Sequence, residues 1–303
     1  MTLRLGVLGF SDGNGHPYSF SAIVNGYDDQ AFSRVGWDGI HAYLKARGPE
    51  AFGFEDTAVT ACWMPDPAMA EGLAAACRIR TVCPTPEAMI DQVDAVLILR
   101  DDPGSHLALA HPFLDAGLPV FIDKPLCIDR AELAILEPHL RSGGLMSCSG
   151  LRFAGEADSW RADPAQFGDI RLVRAAVVVD WSRYGVHMLE CAMGALNVRP
   201  VAVQRHVAAH DSVAVRLEDG TLLLIDALGA VARTFSLQVF GSAGHGEIDI
   251  RDNFTAFRRT LEAFIGQVRS GRPAIDPDDT LLVIRTLIAG LEARPGGPEI
   301  PVC

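Results

Sequence analysis

The chain has 303 residues, of which 49% are hydrophobic and 21% are charged, and its formal net charge is −12. This composition is typical of a globular protein long enough for two domains, and it excludes a disordered chain. The acidic balance disfavours nucleic acid and anionic membrane surfaces as partners, because both would be repelled. No apolar run approaches the ~20 residues that a transmembrane helix needs.

The cysteines indicate a reducing compartment. There are seven of them, an odd number, and none forms a C-x-x-C pair. Most lie in apolar stretches, so they are expected to be reduced thiols that act as small core residues. Their spacing does not support a zinc site, and no metal is predicted. The N-terminus shows no signal peptide, and the chain is therefore expected to be cytoplasmic.

The first half of the chain alternates short apolar runs with helical patterns. The predicted strands are 3–8, 59–63, 94–100 and 119–123, and the predicted helices are 19–27, 37–46, 66–76, 86–92, 105–116 and 129–142. Asp66 is predicted to cap its helix. This alternation predicts a doubly wound parallel sheet over residues 1–145, with ligands beyond the carboxyl ends of the strands.

The second half has a different pattern. Successive strand-like runs lie within 145–153, 170–181, 200–209, 212–229 and 234–250, and the segment Glu218–Thr221 has the composition of a hairpin turn. One helix over 185–196 interrupts these runs, and two more, 254–270 and 277–292, follow them. Residues 146–303 are therefore predicted to form an α+β domain with a large open, mostly antiparallel sheet, and the last helices are expected to pack back on the first domain.

The loop after the first strand has glycines in an unusual arrangement. Gly9, Gly13 and Gly15 give the spacing G-x-x-x-G-x-G, whereas the common dinucleotide fingerprint is G-x-G-x-x-G. Small residues and backbone donors in this loop can still hold a pyrophosphate. Asp12 fits there only if its carboxylate points away. The segment that follows, 26–56, is longer than usual and is expected to cover the cleft or to form a subunit contact.

The stretch "FIDKPL" places a lysine at the end of a buried strand. Pro125 lacks a backbone donor and fixes the turn, so Lys124 is expected to point into the cleft. There it could hold a substrate hydroxyl or lower the pKa of a neighbouring base. A solvated loop lysine is the alternative interpretation.

The stretch "DWSRYGVHMLE" supplies a histidine at the start of a helix. His187 and Glu190 are three residues apart and share one helix face, and Arg183 and Tyr184 precede the helix. Histidine is the usual proton carrier near neutral pH. The alternative is a helix-face histidine satisfied by a local carboxylate.

Taken together, these segments resemble the Gfo/Idh/MocA oxidoreductases. The family pattern D-A-V-x-I, a loop with proline and histidine, a helix, and A-G-x-x-V-x-x-E-K-P-L is filled by 94–98, Pro103, His106, 116–117 and 123–125. The resemblance is strongest over 94–132 and continues at "GDIRLVRA", at "GVHMLE" and in the final helices. It rests on the order and spacing of the motifs, since each is weak alone.

The resemblance implies a Rossmann domain and an NAD(P)-dependent redox reaction at a carbinol or carbonyl carbon of a sugar, polyol or sugar acid. Lys124 matches the lysine of E-K-P and His187 matches the motif histidine, so both are expected to handle the proton, with Tyr184 and Arg183 in the same site. It also implies a homodimer or homotetramer, formed through an apolar face of the second-domain sheet. The predicted cofactor-binding residues are Gly9, Ser11, Asp12, Gly13, Asn14, Gly15, His16, Trp63, Arg100, Asp101, Pro103, His106 and Asp123.

Several positions depart from the family pattern. Arg183 stands where the family often has an aspartate, which favours either an anionic group on the substrate or a structural ion pair. Met64 takes the place of the acidic residue that often selects NAD, and Asp66 follows, so the sequence does not choose between NAD and NADP. Two alternative functions remain open: a non-redox binding or regulatory protein, and a lyase or hydrolase with a tightly held nucleotide. Arg152, Trp160, Trp181 and His245 are unranked candidates for the substrate pocket.

Overall fold

A computed structural model describes residues 2–302 of the chain. Six of the seven cysteines are buried with free thiols, and Cys303 lies outside the described residues. The chain forms two compact units, each built from separate stretches of sequence. The first unit comprises the chain up to residue 126 together with 136–147 and 260–274, and the second comprises 127–135, 148–259 and the chain from residue 275.

The first unit contains a six-stranded parallel sheet, which confirms the predicted doubly wound architecture. Its strands lie in the order β3-β2-β1-β4-β5-β6, and the order reverses between β1 and β4. Loops at such a switch point leave a crevice beyond the carboxyl ends of the strands. The strands are β1 (Leu3–Leu8), β2 (Thr57–Trp63), β3 (Thr81–Val82), β4 (Ala95–Ile98), β5 (Val120–Ile122) and β6 (Leu145–Ser147).

Helices connect these strands. They are α1 (His16–Asn25), α2 (Asp29–Phe32), α3 (Asp38–Lys45), α4 (Pro67–Ala76), α5 (His106–Asp115) and α6 (Arg130–Ser142). The predicted cap of α4 is confirmed, because the Asp66 carboxylate accepts a hydrogen bond from the Ala68 backbone N–H. The helix predicted over 86–92 is wrong: only the 3₁₀ turn Glu87–Met89 forms there, since so short a segment gains too few bonds to propagate a helix.

The second unit contains a seven-stranded mixed sheet. The strand order is β12-β11-β7-β10-β9-β8-β13, and every pair is antiparallel except β7 with β10, so the predicted mostly antiparallel sheet is confirmed. The Glu218–Thr221 hairpin turn is also confirmed, with Gly220 at φ +87°. The strands are β7 (Ile170–Val177), β8 (Pro200–His206), β9 (Asp211–Leu217), β10 (Leu222–Ala227), β11 (Phe235–Gly241), β12 (His245–Asp249) and β13 (Ile300–Pro301).

The helices of the second half are α7 (Asp158–Ala162), α8 (Val186–Leu196), α9 (Asn253–Ser270) and α10 (Pro277–Glu292). Helix α9 contributes to both units, with its residues from Thr260 onward belonging to the first. There Phe264 packs against Phe121 of β5, and Gln267 donates to the carbonyls of Gly143 and Leu145. The parallel sheet is therefore completed by a distant part of the chain.

The strand-like run at 145–153 was assigned to the second domain, and this assignment is wrong. Residues 145–147 pair with β5 as the last strand of the parallel sheet, and Gly150–Phe153 form a 3₁₀ turn. A short apolar run fits the edge of either sheet, so its composition alone does not say which sheet it joins.

None of the helices within residues 2–302 is long and apolar enough to cross a bilayer. In the same residues no group of three or more His, Cys, Asp or Glu side chains is arranged to hold a metal ion.

Candidate active site

Lys124 lies two residues after the end of β5, at the carboxyl edge of the parallel sheet, and its side chain is almost fully buried. Its Nζ is 3.7 Å from Oδ2 of Asp101, which follows β4. Ser11 of the glycine loop donates its hydroxyl to Asp101 Oδ1 at 2.6 Å and accepts the Asp101 backbone N–H at 2.9 Å. The loops after β1, β4 and β5 therefore converge on one buried ion pair, which compensates the charge of Lys124.

Asp123 holds a second group of side chains together at the same edge. Its Oδ2 lies 2.5 Å from Nδ1 of His16 and 3.1 Å from the Asn14 amide nitrogen, and its Oδ1 accepts the Lys124 backbone N–H at 2.8 Å. Burial raises the pKa of Asp123, but His16 and Lys124 outweigh this and bring the pKa below its usual value. Nδ1 of His16 therefore faces an ionised carboxylate.

Arg100 and His106 fix the loop after β4. Arg100 donates to the Phe10 carbonyl at 2.5 Å and makes a bidentate pair with Asp102. His106 is fully buried, and its two ring nitrogens each lie 3.0 Å from a carbonyl oxygen, those of Leu126 and Arg100. His106 thus joins this loop to the segment that follows Lys124.

The inserted segment accounts for the unusual glycine spacing. A Cβ atom on Gly15 would lie 2.4 Å from Ile40 Cδ1 and 2.7 Å from the Trp37 ring, so only glycine fits under these side chains. Trp37 also packs against Phe10 of the loop. Gly13 differs, since it has φ +78° and open space around it. The insertion therefore packs on the glycine loop.

The loop retains main-chain donors that suit a diphosphate. Across residues 2–302, no oxygen accepts a hydrogen bond from the backbone amides of Ser11, Asp12 and Gly13. The first turn of α1 is less open, because Asn14 Oδ1 accepts the His16 N–H and Pro17 has none. The amides of residues 11–13 can therefore serve an anionic group, and the Asp12 side chain beside them is exposed.

Trp63 and Pro103 lie at the same carboxyl edge. Trp63 is partly exposed at the end of β2, and its carbonyl accepts the Gly9 N–H. Pro103 begins the 3₁₀ turn Pro103–Ser105 before α5. Met64, by contrast, is buried, with its Cε 3.0 Å from the place of a Cβ on Gly9, so it fills space beneath the loop.

The second unit holds His187 in a mostly buried aromatic setting. His187 lies in the first turn of α8, with the rings of Tyr184 and Phe235 at centroid distances of 5.1 and 5.7 Å. Its Nδ1 is 2.6 Å from the hydroxyl of Ser149. Ser149 is fully buried and was missed in the sequence, where a lone serine after a short strand carries no recognisable signal.

Arg183 and Tyr184 lie in a π-helical turn, Trp181–Gly185, that leads into α8. Asp180 begins this turn and accepts the Arg183 backbone N–H. Val179, just before it, has φ +66°, a costly conformation for a β-branched residue that is found at functional sites.

Glu190 does not bond to His187 but pairs with Arg152. Arg152 Nη1 lies 2.8 Å from Glu190 Oε2, and its Nη2 lies 2.6 Å from Asp279 Oδ2. Burial raises the pKa of Glu190 above its usual value although Arg152 opposes this, and the Glu190 carboxylate also accepts the Ser149 backbone N–H. Arg152 is thus part of the internal structure of the unit.

The other unranked candidates have different surroundings. Trp160 packs edge-on against Phe167 in the core. Trp181 is buried and donates to the Leu287 carbonyl at 2.9 Å. His245 is exposed on β12 at the edge of the sheet.

Residues 39–148 match the family model GFO_IDH_MocA, described as an oxidoreductase family with an NAD-binding Rossmann fold. Over these residues, about a third of the chain, the protein is similar to the Gfo/Idh/MocA family. This confirms the resemblance seen in the sequence and the expected class of cofactor, a nicotinamide dinucleotide.

One similar curated protein has been provisionally assigned as the UDP-kanosamine synthase oxidoreductase subunit of Amycolatopsis mediterranei (strain S699). It is 29% identical over 140 residues, which are 46% of this chain and 38% of that protein. The match thus spans less than half the length of that relative.

Solved structures share the fold over the whole chain. A scyllo-inositol dehydrogenase from Lactobacillus casei, determined with NAD(H) and scyllo-inositol, has a TM-score of 0.77 at 16% identity and covers 100% of this chain and 99% of its own. A myo-inositol 2-dehydrogenase from Lactobacillus plantarum has a TM-score of 0.73 at 17% identity and covers 99% of each chain.

Proposed function

We propose that the protein is an NAD(P)-dependent oxidoreductase that transfers hydride between the nicotinamide and a carbinol or carbonyl carbon of a sugar, polyol or sugar acid. The observation that carries the proposal is Lys124, an almost fully buried cation held by Asp101 at the carboxyl edge of the parallel sheet. A cation kept in a largely dry site can stabilise charge on a reacting oxygen. The family match supports the redox chemistry.

The cofactor is proposed to bind over the glycine loop. The backbone amides of residues 11–13 would hold its diphosphate, and Asp123 and Lys124 lie at the end of a nearby strand. When bound, NAD(P) accepts or supplies the hydride. The chain's own residues then have to orient the substrate and serve its oxygen, and we propose Lys124 and His187 for this task.

The substrate is proposed to be carbohydrate-like. The inositol dehydrogenase of the same fold was determined with a polyol and NAD(H), which supports this class. Arg183, in the turn before His187, would favour a substrate with a carboxylate or phosphate. Activity that survives Arg183→Ala with an unchanged preference between acidic and neutral sugars would remove the anionic group from the proposal.

A homodimer or homotetramer is also proposed. Phe240, Leu172 and Leu222 lie in register across β11, β7 and β10, and 41% of Phe240 and 42% of Leu222 are exposed. Such a row of apolar side chains on an open sheet favours burial against a second copy. The six buried free thiols support the further proposal of a cytoplasmic location.

The first experiment asks whether the protein holds a nucleotide. The purified protein is denatured and the supernatant is tested for NAD(H) and NADP(H), and both are then titrated by quenching of tryptophan fluorescence. Binding followed by reduction or oxidation of a member of a panel of polyols, sugars and sugar acids supports the proposal. Absence of binding favours the non-redox protein, and binding without any redox turnover favours the lyase or hydrolase.

The second experiment assigns Lys124. Lys124→Met should lower kcat by about a hundredfold or more, the range for loss of a proton-transferring group, and change cofactor Kd only a few-fold. Lys45→Met is the matched control, because Lys45 pairs with Asp29 on the surface of the same unit and should leave both constants unchanged. Thermal unfolding of both variants separates a catalytic loss from a loss of fold.

A further inference from the structure

The hydroxyl of Ser149 has two neighbours within hydrogen-bond distance, and it is fully buried. The Leu151 backbone N–H donates to Ser149 Oγ at 3.1 Å, and His187 Nδ1 lies 2.6 Å from the same oxygen. No other partner of this oxygen is found in residues 2–302. The proton between these two atoms therefore belongs either to His187 Nδ1 or to Ser149 Oγ.

Only one of these arrangements satisfies every polar group. If His187 Nδ1 donated, the Ser149 O–H would have no acceptor and no access to water, because Ser149 is 0% exposed. If the Ser149 O–H donates to Nδ1, the oxygen still accepts from Leu151 and nothing is left unpaired. Buried polar groups in proteins are almost always paired, so the second arrangement is strongly preferred.

We infer that Ser149 is a positioning residue that sets the tautomer of His187, with the proton of the neutral ring on Nε2. The main chain of Ser149 is itself fixed, since its N–H donates to Glu190, which Arg152 holds. His187 is thus poised to donate a hydrogen bond through Nε2 and not to accept a proton there. The setting of His187 differs from that of His16, whose Nδ1 faces the carboxylate of Asp123 and not a hydroxyl.

The consequence for the reaction rests on the proposed function. In the oxidation direction, the carbinol C–H bond breaks and hydride would pass to NAD(P)⁺, while the hydroxyl proton passes to Lys124, which must first give up one proton of its resting ammonium to solvent. The C–O single bond becomes a C=O bond, and His187 with its proton on Nε2 can donate a hydrogen bond to a substrate but cannot take the substrate's proton. In the reduction direction, the Lys124 ammonium returns the proton to the oxygen. His187 therefore orients and polarises, and Lys124 carries the proton.

The tautomer can be measured without any turnover. The protein is labelled with ¹⁵N-histidine, two-bond ¹H–¹⁵N spectra are recorded, and His187 is identified by comparison with His187→Gln. In the wild type we expect an unprotonated Nδ1 and a protonated Nε2. In Ser149→Ala we expect a mixture of tautomers, and in Ser149→Thr, which keeps the hydroxyl, the wild-type pattern.

The control is Ser21→Ala, which removes a buried hydroxyl that has no hydrogen-bond partner among residues 2–302, and it should leave the His187 signals unchanged. A wild-type ring protonated on Nδ1 overturns the inference even if Ser149→Ala fails to fold. An unchanged tautomer in folded Ser149→Ala overturns the role of Ser149.

Steady-state kinetics of the Ser149 variants tests the proposed function separately from the tautomer of His187. On a substrate found in the panel, Ser149→Ala should lower kcat about tenfold with KM nearly unchanged, the pattern of an interaction made in the transition state. Ser149→Thr should recover most of the rate. If no substrate of the panel turns over, the proposed function fails while the spectra still decide the tautomer.

Discussion

Replacing Arg152 by methionine should destabilise the protein strongly. The side chain of Glu190 is 2% exposed and that of Arg152 is 11% exposed, so their 2.8 Å ion pair is screened little by water. Burial lowers the pKa of Arg152, but Glu190 and Asp279 outweigh it and the net pKa is raised. Methionine keeps the aliphatic part of the side chain that packs on Gly194 and removes only the charged end.

The size of the destabilisation follows from the unpaired charge that Glu190 carries once Arg152 is removed. Breaking a buried ion pair by removing one partner costs about 3–5 kcal/mol, because the remaining charge stays buried without compensation. Loss of the Arg152–Asp279 pair adds little to this cost. Asp279 keeps Arg199 at 3.3 Å, and a partly exposed ion pair contributes only about 0–1 kcal/mol. The double variant Arg152→Met/Glu190→Gln removes the orphaned charge and should regain most of the loss.

The loss should also depend on pH. Burial raises the pKa of Glu190 and Arg152 opposes it, so removal of Arg152 raises the pKa further. A carboxyl with a raised pKa in the folded state binds protons more tightly there, so its unfavourable charge is present at high pH and disappears as pH falls through that pKa. The difference in the free energy of unfolding between wild type and Arg152→Met should therefore be largest near pH 8 and smaller near pH 5.

Urea unfolding of the wild type and both variants at the two pH values provides the measurement, with the m-values compared to check that unfolding remains two-state. A loss below about 1 kcal/mol at pH 8 would mean that water reaches Glu190, as at a surface pair. A loss that is equal at both pH values, or a double variant no better than the single one, would refute the reasoning.

Three further outcomes are expected. Gly15→Ala should lower the free energy of unfolding by about 1–3 kcal/mol, because its new Cβ atom would overlap Ile40 and Trp37. Gly13→Ala has open space but φ +78°, so it should lower the free energy by about 1–2 kcal/mol through its backbone alone. In urea unfolding, Ile40→Ala combined with Trp37→Ala should make Gly15→Ala less costly and leave the cost of Gly13→Ala unchanged. Asp123→Asn should weaken NADH binding at least several-fold in a fluorescence titration, because it removes the ionised partner of His16, and unchanged binding would contradict this role. Phe240→Glu should convert an oligomer into monomers in size exclusion with light scattering, while a wild type that is already monomeric would contradict the proposed assembly.

The sequence predicted the elements whose signals are local. Helix α10 has its predicted bounds because Asp276 caps it and Pro277 fills its first turn. The converging ends of parallel strands also placed Lys124, Asp101 and His16 at one edge of the sheet. Periodicity and strand order are enough for this level of description.

What the sequence could not show depends on contacts between distant residues. Gly15 looked like part of a phosphate loop, but its lack of a side chain is required by Trp37 from the insertion. The helical spacing of Glu190 suggests that it bonds to His187, but in the structure Glu190 forms an ion pair with Arg152. Ser149 reaches His187 across 38 residues, and no local pattern marks it.

The shared helix α9 has a consequence for biosynthesis. The parallel sheet needs Phe264 against Phe121 and the Gln267 donors for the carbonyls next to β6, and these groups are translated more than a hundred residues after the strand they support. At about 5–20 residues per second, a ribosome leaves that sheet incomplete for roughly ten seconds. A gene truncated after Ser147 would encode an incomplete first unit. A chimera that replaces this unit with that of a relative must therefore replace the segment 260–274 as well.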